Sequence, residues 1–496
     1  MTTEMRATPG AGGGWATLNS RGQPHESKLA RRVARQLEDD IVRDGWRVGS
    51  IYASGTELQE RYDVSRAVIR EAIRLVEHHG VAKMLRGPYG GLMLRAPDAA
   101  PLTAAVVIYL EYVGATVEDV LAVRLLLEPV AARLAAQRLA EDQISTLRRA
   151  IVEERSQGDI DASTRDHLHT MLGRLSGNPA LGIFIDVLSQ LTTRYAKAPQ
   201  EPGEDEARQL SAASDHAHER IVEAVVAGDT FAAERRIVRH LTTMRTWLLS
   251  TRQEPIARRS SPVTVATEIE NIEEKRAETV ARQLMAEIVA SDVAPGEIYG
   301  SESELQARFE VSRAVFREAI RLLEYHSVAR MRRGQFGGLV VSEPDPAACV
   351  DAMSIYLEYE EVQAEQLRQV REIIELGALD LVIARSDHPD LASALQLAHR
   401  VHPGADRDDI APLSADFHLT LANLSGNPVL SLLLRILLAV WSRHSEQSAR
   451  RRTHDHAADS VSRAHGSIVD AVVAGDAALA RRRMLKHLAA LDQWWE

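Results

Sequence analysis

The sequence predicts a mainly α-helical chain in which two small helix–turn–helix–hairpin units alternate with two all-helical bundles. Three observations predict it. Ala, Leu, Arg, Val and Glu dominate the composition and aromatic residues make up only 4%, the profile of a helix-rich protein. Nearly the whole chain is written twice: Arg66 matches Arg313, Arg124 matches Arg371 and His240 matches His487, each pair 247 positions apart. The stretch SRAVIREAIRLVEHHGVAKMLRGPYGGLML, Ser65 to Leu94, returns as SRAVFREAIRLLEYHSVARMRRGQFGGLVV, Ser312 to Val341. A duplication of this length is a repeated two-domain unit, since solenoid repeats run to only ~20–50 residues.

Residues 1–25 are rich in Gly, Thr and Ala and lack an apolar core, so they read as a mobile arm and not as a signal peptide. A first helix follows, about Lys28–Arg43, with its copy at about Lys275–Ala290. Ser54 with Glu57, and Ser301 with Glu304, have the S-x-x-E spacing of a capping box. They open the helices Glu57–Tyr62 and Glu304–Phe309. A turn of one or two residues, Asp63-Val64 or Glu310-Val311, leads to the next helix. Ser65 suits its N-cap, because the hydroxyl can accept from a free N–H of the first turn. Val68, Ala72, Leu75 and Val76 form an apolar stripe at helical spacing. Arg66, Arg70 and Arg74 line another face, as do Arg313, Arg317 and Arg321. The helix runs out at Gly80. The apolar runs Val81–Leu85 and Leu92–Leu94, separated by RGPYGG, then read as a β-hairpin.

Two helices, a tight turn and a hairpin make a winged helix-turn-helix, expected over 26–97 and again over 269–343. In such a unit the second helix enters the major groove with its N-terminal residues at the base edges. A solvated arginine face is the plain alternative. The row of arginines, the caps and the wing all occur twice, which favours DNA binding. Net charge is −11, yet Ser65–Gly87 carries five Arg/Lys against two Glu, and Ser312–Gly334 six Arg against two Glu. Basic islands in an acidic chain suit a specific DNA reader better than a general coat for nucleic acid.

Pro97, and Pro344 with Pro346, lead out of the wings into helical bundles expected over 98–250 and 344–496, with an Arg-, Ser- and Pro-rich linker at 251–268. Their first long helices are Val117–Leu139 and Glu361–Ala384. The motif SGNP, Ser176–Pro179 and Ser425–Pro428, reads as a helix stop and turn. An AGD turn, Ala227–Asp229 and Ala474–Asp476, separates the last two helices of each half. His218 precedes that turn and His240 follows it at matching distances, so on antiparallel helices they come level. His465 and His487 repeat the arrangement, and His169 and His418 come from another helix. Three histidines from three helices would make a site for a divalent transition metal such as Zn, Mn or Ni. The alternative is a polar core, with the rings bonded to one another or to water. The single cysteine, Cys349, excludes a disulfide framework and makes a reducing cytoplasm the expected location. No apolar run reaches the ~18 residues of a membrane span.

The motifs VSRAVIREAIRLVE, RGPYGG, LHTMLGRLSGNP, HERIVEAVVAGD and RRIVRHL, with their second-half counterparts, resemble the GntR family. The bundles resemble the FCD ligand-binding domain of its FadR-like subfamily. The resemblance covers roughly 26–495, as two fused copies. It implies a bacterial transcription regulator, with repression the expected outcome, whose grip on a double-stranded operator is set by a small metabolite, typically an organic acid.

By motif match, Ser65, Arg66, Arg70, Arg86 and Gly87 would contact DNA, with Ser312, Arg313, Arg317, Arg333 and Gly334 as counterparts. Arginine is the bidentate partner of guanine O6 and N7. The family's usual Arg before the Glu-Leu of the preceding helix is Thr56 here, and Ser303 in the copy. FCD domains resemble the three-histidine arrangement but add an Asp one turn before the first His. The matching residues are Arg165 and Ser414; Asp166 can share the face of His169, whereas Asp416 points away from that of His418. Arg165 would repel a cation and favour an anionic ligand, and the second half, without a carboxylate, is expected to hold metal more weakly. The family also places an arginine near the ligand pocket, which implies that Arg124 and Arg371 clamp a carboxylate; a salt bridge to Glu128 or Glu375, four residues on, is the competing reading.

FadR-like regulators resemble two-fold dimers on two half-sites. One chain would therefore act as an intrachain pseudo-dimer on a near-palindromic operator, its recognition helices about 34 Å apart. Two other classes compete. A metal hydrolase would need a general base beside the histidines, and none is apparent in both halves. A helical metal-binding or interaction protein would keep the fold without DNA binding.

Overall fold

The computed structural model describes residues 25–87, 90–156, 167–196, 204–250, 272–291, 293–325, 328–332, 334, 337–343, 345–385, 389–398, 407–448 and 457–492. The arm up to residue 24 and the linker 251–268 lie outside them. The chain divides into two compact units, residues 1–98 and 99–496. Among the described residues no helix is long and apolar enough to cross a membrane.

The first unit contains α1 (His25–Arg43), α2 (Gly55–Tyr62), α3 (Arg66–His78), β1 (Ala82–Met84) and β2 (Leu92–Leu94). Both limbs of the capping box form at α2: Ser54 Oγ accepts from Glu57 N–H at 3.2 Å, and Glu57 accepts from Ser54 N–H at 2.7 Å. Asp63 stops α2 in the left-handed region, φ 48°, which lets α3 start at once. Ser65 caps α3 by accepting from Val68 N–H at 3.3 Å. The buried face of α3 is Val68, Ile69, Ala72, Ile73 and Val76. It is wider than the stripe read from spacing: Ile69 and Ile73 join it and Leu75 is only half-buried, because α3 packs on both α1 and the hairpin. The hairpin pairs antiparallel, Ala82 with Leu94 and Met84 with Leu92. Glu77, in the last turn of α3, accepts from Met84 N–H at 2.8 Å and ties the wing to the recognition helix. Gly87, at the wing tip, has φ 115°, a conformation open only to glycine.

The second unit holds everything else. Its first helical half comprises α4 (Ala99–Tyr112), α5 (Val117–Arg138), α6 (Glu141–Ser156), α7 (His167–Leu175), α8 (Pro179–Ala196), α9 (Glu204–Val226) and α10 (Thr230–Ser250). The second reader follows with α11 (Ile272–Ala290), β3 (Ile298–Gly300), α12 (Glu302–Phe309), α13 (Arg313–Tyr325), β4 (Ala329–Arg332) and β5 (Gly338–Val341). Its wing is a three-stranded sheet in the order β3-β5-β4. The second helical half is α14 (Ala347–Tyr359), α15 (Ala364–Ile383), α16 (Pro389–Ala398), α17 (Arg407–Leu424), α18 (Pro428–Ser448), α19 (Ala457–Val473) and α20 (Ala477–Asp492). The second reader rests on the first half's α4. Ile108 packs on its core, and the Tyr112 hydroxyl donates to the Ser342 carbonyl at 2.5 Å.

The two helical halves share one apolar core, which runs through α4, α5 and α8 of the first and α14, α15 and α18 of the second. The SGNP turns staple this interface from both sides. Asn178 Oδ1 caps α8 by accepting from Ala180 N–H at 3.1 Å, while its Nδ2 donates across to Gln366 O at 3.0 Å. Asn427 mirrors it, capping α18 and donating to Asp119 O at 3.0 Å. Gly377 allows α5 and α15 to close together: a Cβ there would lie 2.3 Å from Leu126 Cδ1.

Cys349 sits in this shared core, its thiol 3.6 Å from the Ala105 carbonyl of the other half. Burial pushes the thiol up from 9.0 to about 12. The stabilisation from keeping it neutral is complete below pH 9 and disappears as pH rises through about 12. Near neutral pH, iodoacetamide should therefore modify the folded chain at least ~100-fold more slowly than the urea-unfolded chain, because thiolate and access are both withheld. Equal labelling rates with and without urea would place Cys349 outside a closed interface.

Candidate DNA-reading surfaces and histidine clusters

In the first reader the capped end of α3 presents Ser65, Arg66 and Arg70, all exposed. Arg74, one turn further, is paired with Glu71 at 3.1 Å, so it is less available. Arg86 and Gly87 are exposed at the wing tip. One helix start and one wing tip therefore each display cationic side chains, the parts needed to meet bases and backbone. The second reader repeats the layout. Ser312, Arg313 and Arg317 are exposed at the start of α13, Arg321 is paired with Glu318 at 2.5 Å, and Gly334 has φ 116°. Arg333 lies outside the described residues.

One residue of this surface was missed by the sequence reading. Glu302, the first residue of α12, places a carboxylate oxygen 3.5 Å from Nε of Arg313 and 3.5 Å from Nε of Arg317. Gly55 occupies its place in the first reader. The signal lies two positions before the matched Glu304, where Glu302 stands against Gly55 in the other copy.

The three histidines of each helical half come together. His169 from α7, His218 from α9 and His240 from α10 offer ring nitrogens all within 4.8 Å of one another, and so do His418, His465 and His487. The contacts run through Nε2: His218 to His240 at 3.2 Å, His418 to His487 at 3.2 Å and His465 to His487 at 3.0 Å. Three of the outer nitrogens are anchored by carboxylates. His169 Nδ1 donates to Glu128, His418 Nδ1 to Glu375, and His218 Nδ1 to Glu154 at 2.7 Å. A carboxylate on Nδ1 fixes the tautomer and turns the Nε2 lone pair inward. Burial, then the neighbouring His218, drives His240 well below its ordinary value, and burial, then His418, brings His487 down to about 3. Nε2 atoms about 3 Å apart match the edge of a coordination shell with metal–nitrogen bonds of ~2.1 Å.

The sequence reading missed two carboxylates behind the clusters, Glu128 in the first half and Glu375 in the second. Both halves thus carry a Glu against one histidine of the cluster. These glutamates sit on Nδ1, the ring edge opposite the convergence, so neither is placed as a base for water at Nε2. Each also closes the ion pair left open as an alternative. Arg124 donates through Nε to Glu128, and Arg371 to Glu375 at 2.6 Å, with both guanidiniums buried. Burial alone would raise these carboxyls. For Glu128, Arg124 and then His169 overcome it; for Glu375, His418 and then Arg371; both are held at about 2. Arg124 and Arg371 are thus joined to the histidine clusters through glutamate and are not open clamps. Arg165 and Asp166 lie outside the described residues. Asp416 is exposed, and Ser414 is buried on α17. A cleft of about 340 Å³ between α19 and α20 reaches His487 and is flanked by Arg483 and Lys486.

Two family models match the chain, each twice. The one described as bacterial regulatory proteins, gntR family, covers residues 29–88 and 276–336, and the FCD domain covers 119–243 and 366–490. The Uxu operon transcriptional regulator of Escherichia coli K12 is 28% identical over 218 residues, 42% of this chain and 81% of that protein. The HTH-type transcriptional repressor NanR of Enterobacter sp. strain 638 is 25% identical over 226 residues, 44% of this chain and 85% of its own. Among solved structures, Streptococcus agalactiae GntR aligns over 44% of this chain and 99% of its own, at 23% identity and a TM-score of 0.34. The two regulators named first match less than half of this chain over most of their own length.

Proposed function

This chain belongs to the gntR family of bacterial regulatory proteins, with FCD domains, and from that premise we propose that a single molecule reads a two-part operator under the control of a small organic acid. It is a DNA-binding regulator of transcription, not an enzyme. The observation that carries the proposal is the duplication of reader and helical half within one chain, with both helical halves built on one core. Repression is the outcome we assign, in line with the relative named as a repressor.

In the readers, Arg66, Arg70, Arg313 and Arg317 contact base edges, while Ser65, Ser312 and the wing residues Arg86, Gly87, Arg333 and Gly334 fix the backbone register. The identical recognition sequences Ser-Arg-Ala-Val favour a near-palindromic operator. In each helical half the three Nε2 atoms would hold one divalent transition metal. Such an ion would supply Lewis-acid attraction for a carboxylate effector. In the second half the cleft lined by His487, Arg483 and Lys486 carries the cationic side chains an anionic effector would need.

The test is the mass of the protein–DNA complex at nanomolar concentration, on an operator recovered by genome-wide mapping of bound sites. One chain per operator is expected, with no loss of binding on dilution beyond simple mass action. A minimum complex of two chains, or an operator with two unrelated half-sites, overturns the pseudo-dimer.

A further inference from the structure

We propose that Glu302 is a base-specificity determinant that makes the two half-sites differ at a defined place, the second reader demanding a G·C pair where the first demands none. The inference rests on the DNA-reading function given above. Glu302 Oε1 bridges Arg313 and Arg317, 3.5 Å from Nε of each. That oxygen is shielded from solvent and accepts no hydrogen bond from the described residues, although the side chain as a whole is 35% exposed. One carboxylate thus links the two arginines best placed to meet base edges and retains acceptor capacity of its own.

A G·C pair complements that arrangement. Guanine offers O6 and N7 to an arginine, and the paired cytosine offers its N4 amino group to a carboxylate. At a T·A pair the carboxylate would face the thymine O4 acceptor and methyl group. The shielded oxygen would then stay unsatisfied beside a second acceptor, which costs binding. In the first reader Gly55 stands at this position, and among the described residues neither Arg66 nor Arg70 has an ion-pair partner. Those arginines are unconstrained and unneutralised, so they can settle on guanine or on phosphate.

A side chain at position 55 would fit. An added Cβ there meets nothing within 4 Å, and the backbone is not in the left-handed region. The reciprocal exchange is therefore a fair test. The full-length protein and its Gly55→Glu, Glu302→Gly and Glu302→Gln variants would each select from a library of random 30-base-pair duplexes at one fixed salt concentration. Thermal melts would check that each variant is folded, and Glu302→Gln keeps the length of the side chain if Glu302→Gly weakens α12.

The unaltered protein should enrich a near-palindrome in which one half-site discriminates about tenfold or more for a G·C pair at a position where the other does not. Glu302→Gly and Glu302→Gln should remove that discrimination, and Gly55→Glu should create it in the other half-site. A fully symmetric consensus from the unaltered protein, or an unchanged second half-site in both Glu302 variants, overturns the assignment. If the unaltered protein enriches no sequence beyond a chain lacking Arg66 and Arg313, the DNA-reading function itself fails.

Discussion

A chain carrying Arg66→Ala together with Arg313→Ala should bind its operator between roughly thirtyfold and twenty-thousandfold more weakly than the unaltered chain. The range follows from about 1–3 kcal/mol for each lost bidentate base contact, counted once per half-site. Both arginines stand at the first position of a capped recognition helix, exposed and aimed away from the core. Arg66 has no ion-pair partner among the described residues, and the shielded Glu302 oxygen that faces Arg313 keeps Arg317 as a neighbour, so the thermal transition should move little. The matched control is Arg74→Ala with Arg321→Ala. These arginines lie two turns further along and are paired with Glu71 and Glu318, so the control should cost less than about threefold. Fluorescence anisotropy on one labelled duplex at fixed ionic strength reads both effects, since phosphate contacts make affinity steeply salt-dependent. If the control pair costs more than the test pair, base reading belongs to the wrong end of the helix.

The readers were the most legible part of this molecule because their signals are local. Ser54 and Glu57 are three residues apart and form a capping box wherever a helix starts. The glycines of the wing tip are needed where φ is positive, and Gly87 meets that need within a six-residue turn. The histidine spacing across the AGD turn was legible for a related reason: a short turn between two helices fixes their register. What stayed hidden depends on contacts between distant segments. Glu128 precedes His169 by 41 positions, and nothing in the periodicity of α5 marks one carboxylate among several as turned inward. The SGNP turn was legible as a helix stop, but the same asparagine also donates across the interface to Gln366, 188 positions away, and no local rule places that carbonyl. The third strand of the second wing, Ile298–Gly300, pairs with β5 through only three residues, too few for alternation to show.

Glu128→Gln should lower the stability of the metal-free chain by about 3–5 kcal/mol in its first helical half. Its carboxylate answers two buried groups at once, the Arg124 guanidinium and the His169 Nδ1–H. Arg124 is fully buried, and an unpaired buried cation costs far more than the pair contributes. Arg124→Met added to Glu128→Gln removes that stranded charge, so the double variant should be more stable than Glu128→Gln alone. Urea melts in the presence of a chelator read this comparison without any metal contribution. Acid titration gives the sign independently. Glu128 is held at about 2 against an ordinary 4.5, so its stabilisation is complete above pH 4.5 and is lost as pH falls through about 2. The Gln variant, with no proton to take up, should lack that segment of the acid-unfolding curve. The metal reading separates from the structural one when zinc or manganese is restored. Elemental analysis of the unaltered chain should find up to two ions per molecule, one per histidine cluster. His240→Ala should lose one ion outright, whereas Glu128→Gln should weaken that site by about 10–100-fold, the usual effect of losing a carboxylate behind a ligating histidine. Glu128→Gln as stable as the unaltered chain in chelator would refute the buried-pair account. If no ion is found and neither metal raises the melting temperature, the six histidines form polar cores and the effector must be held without metal.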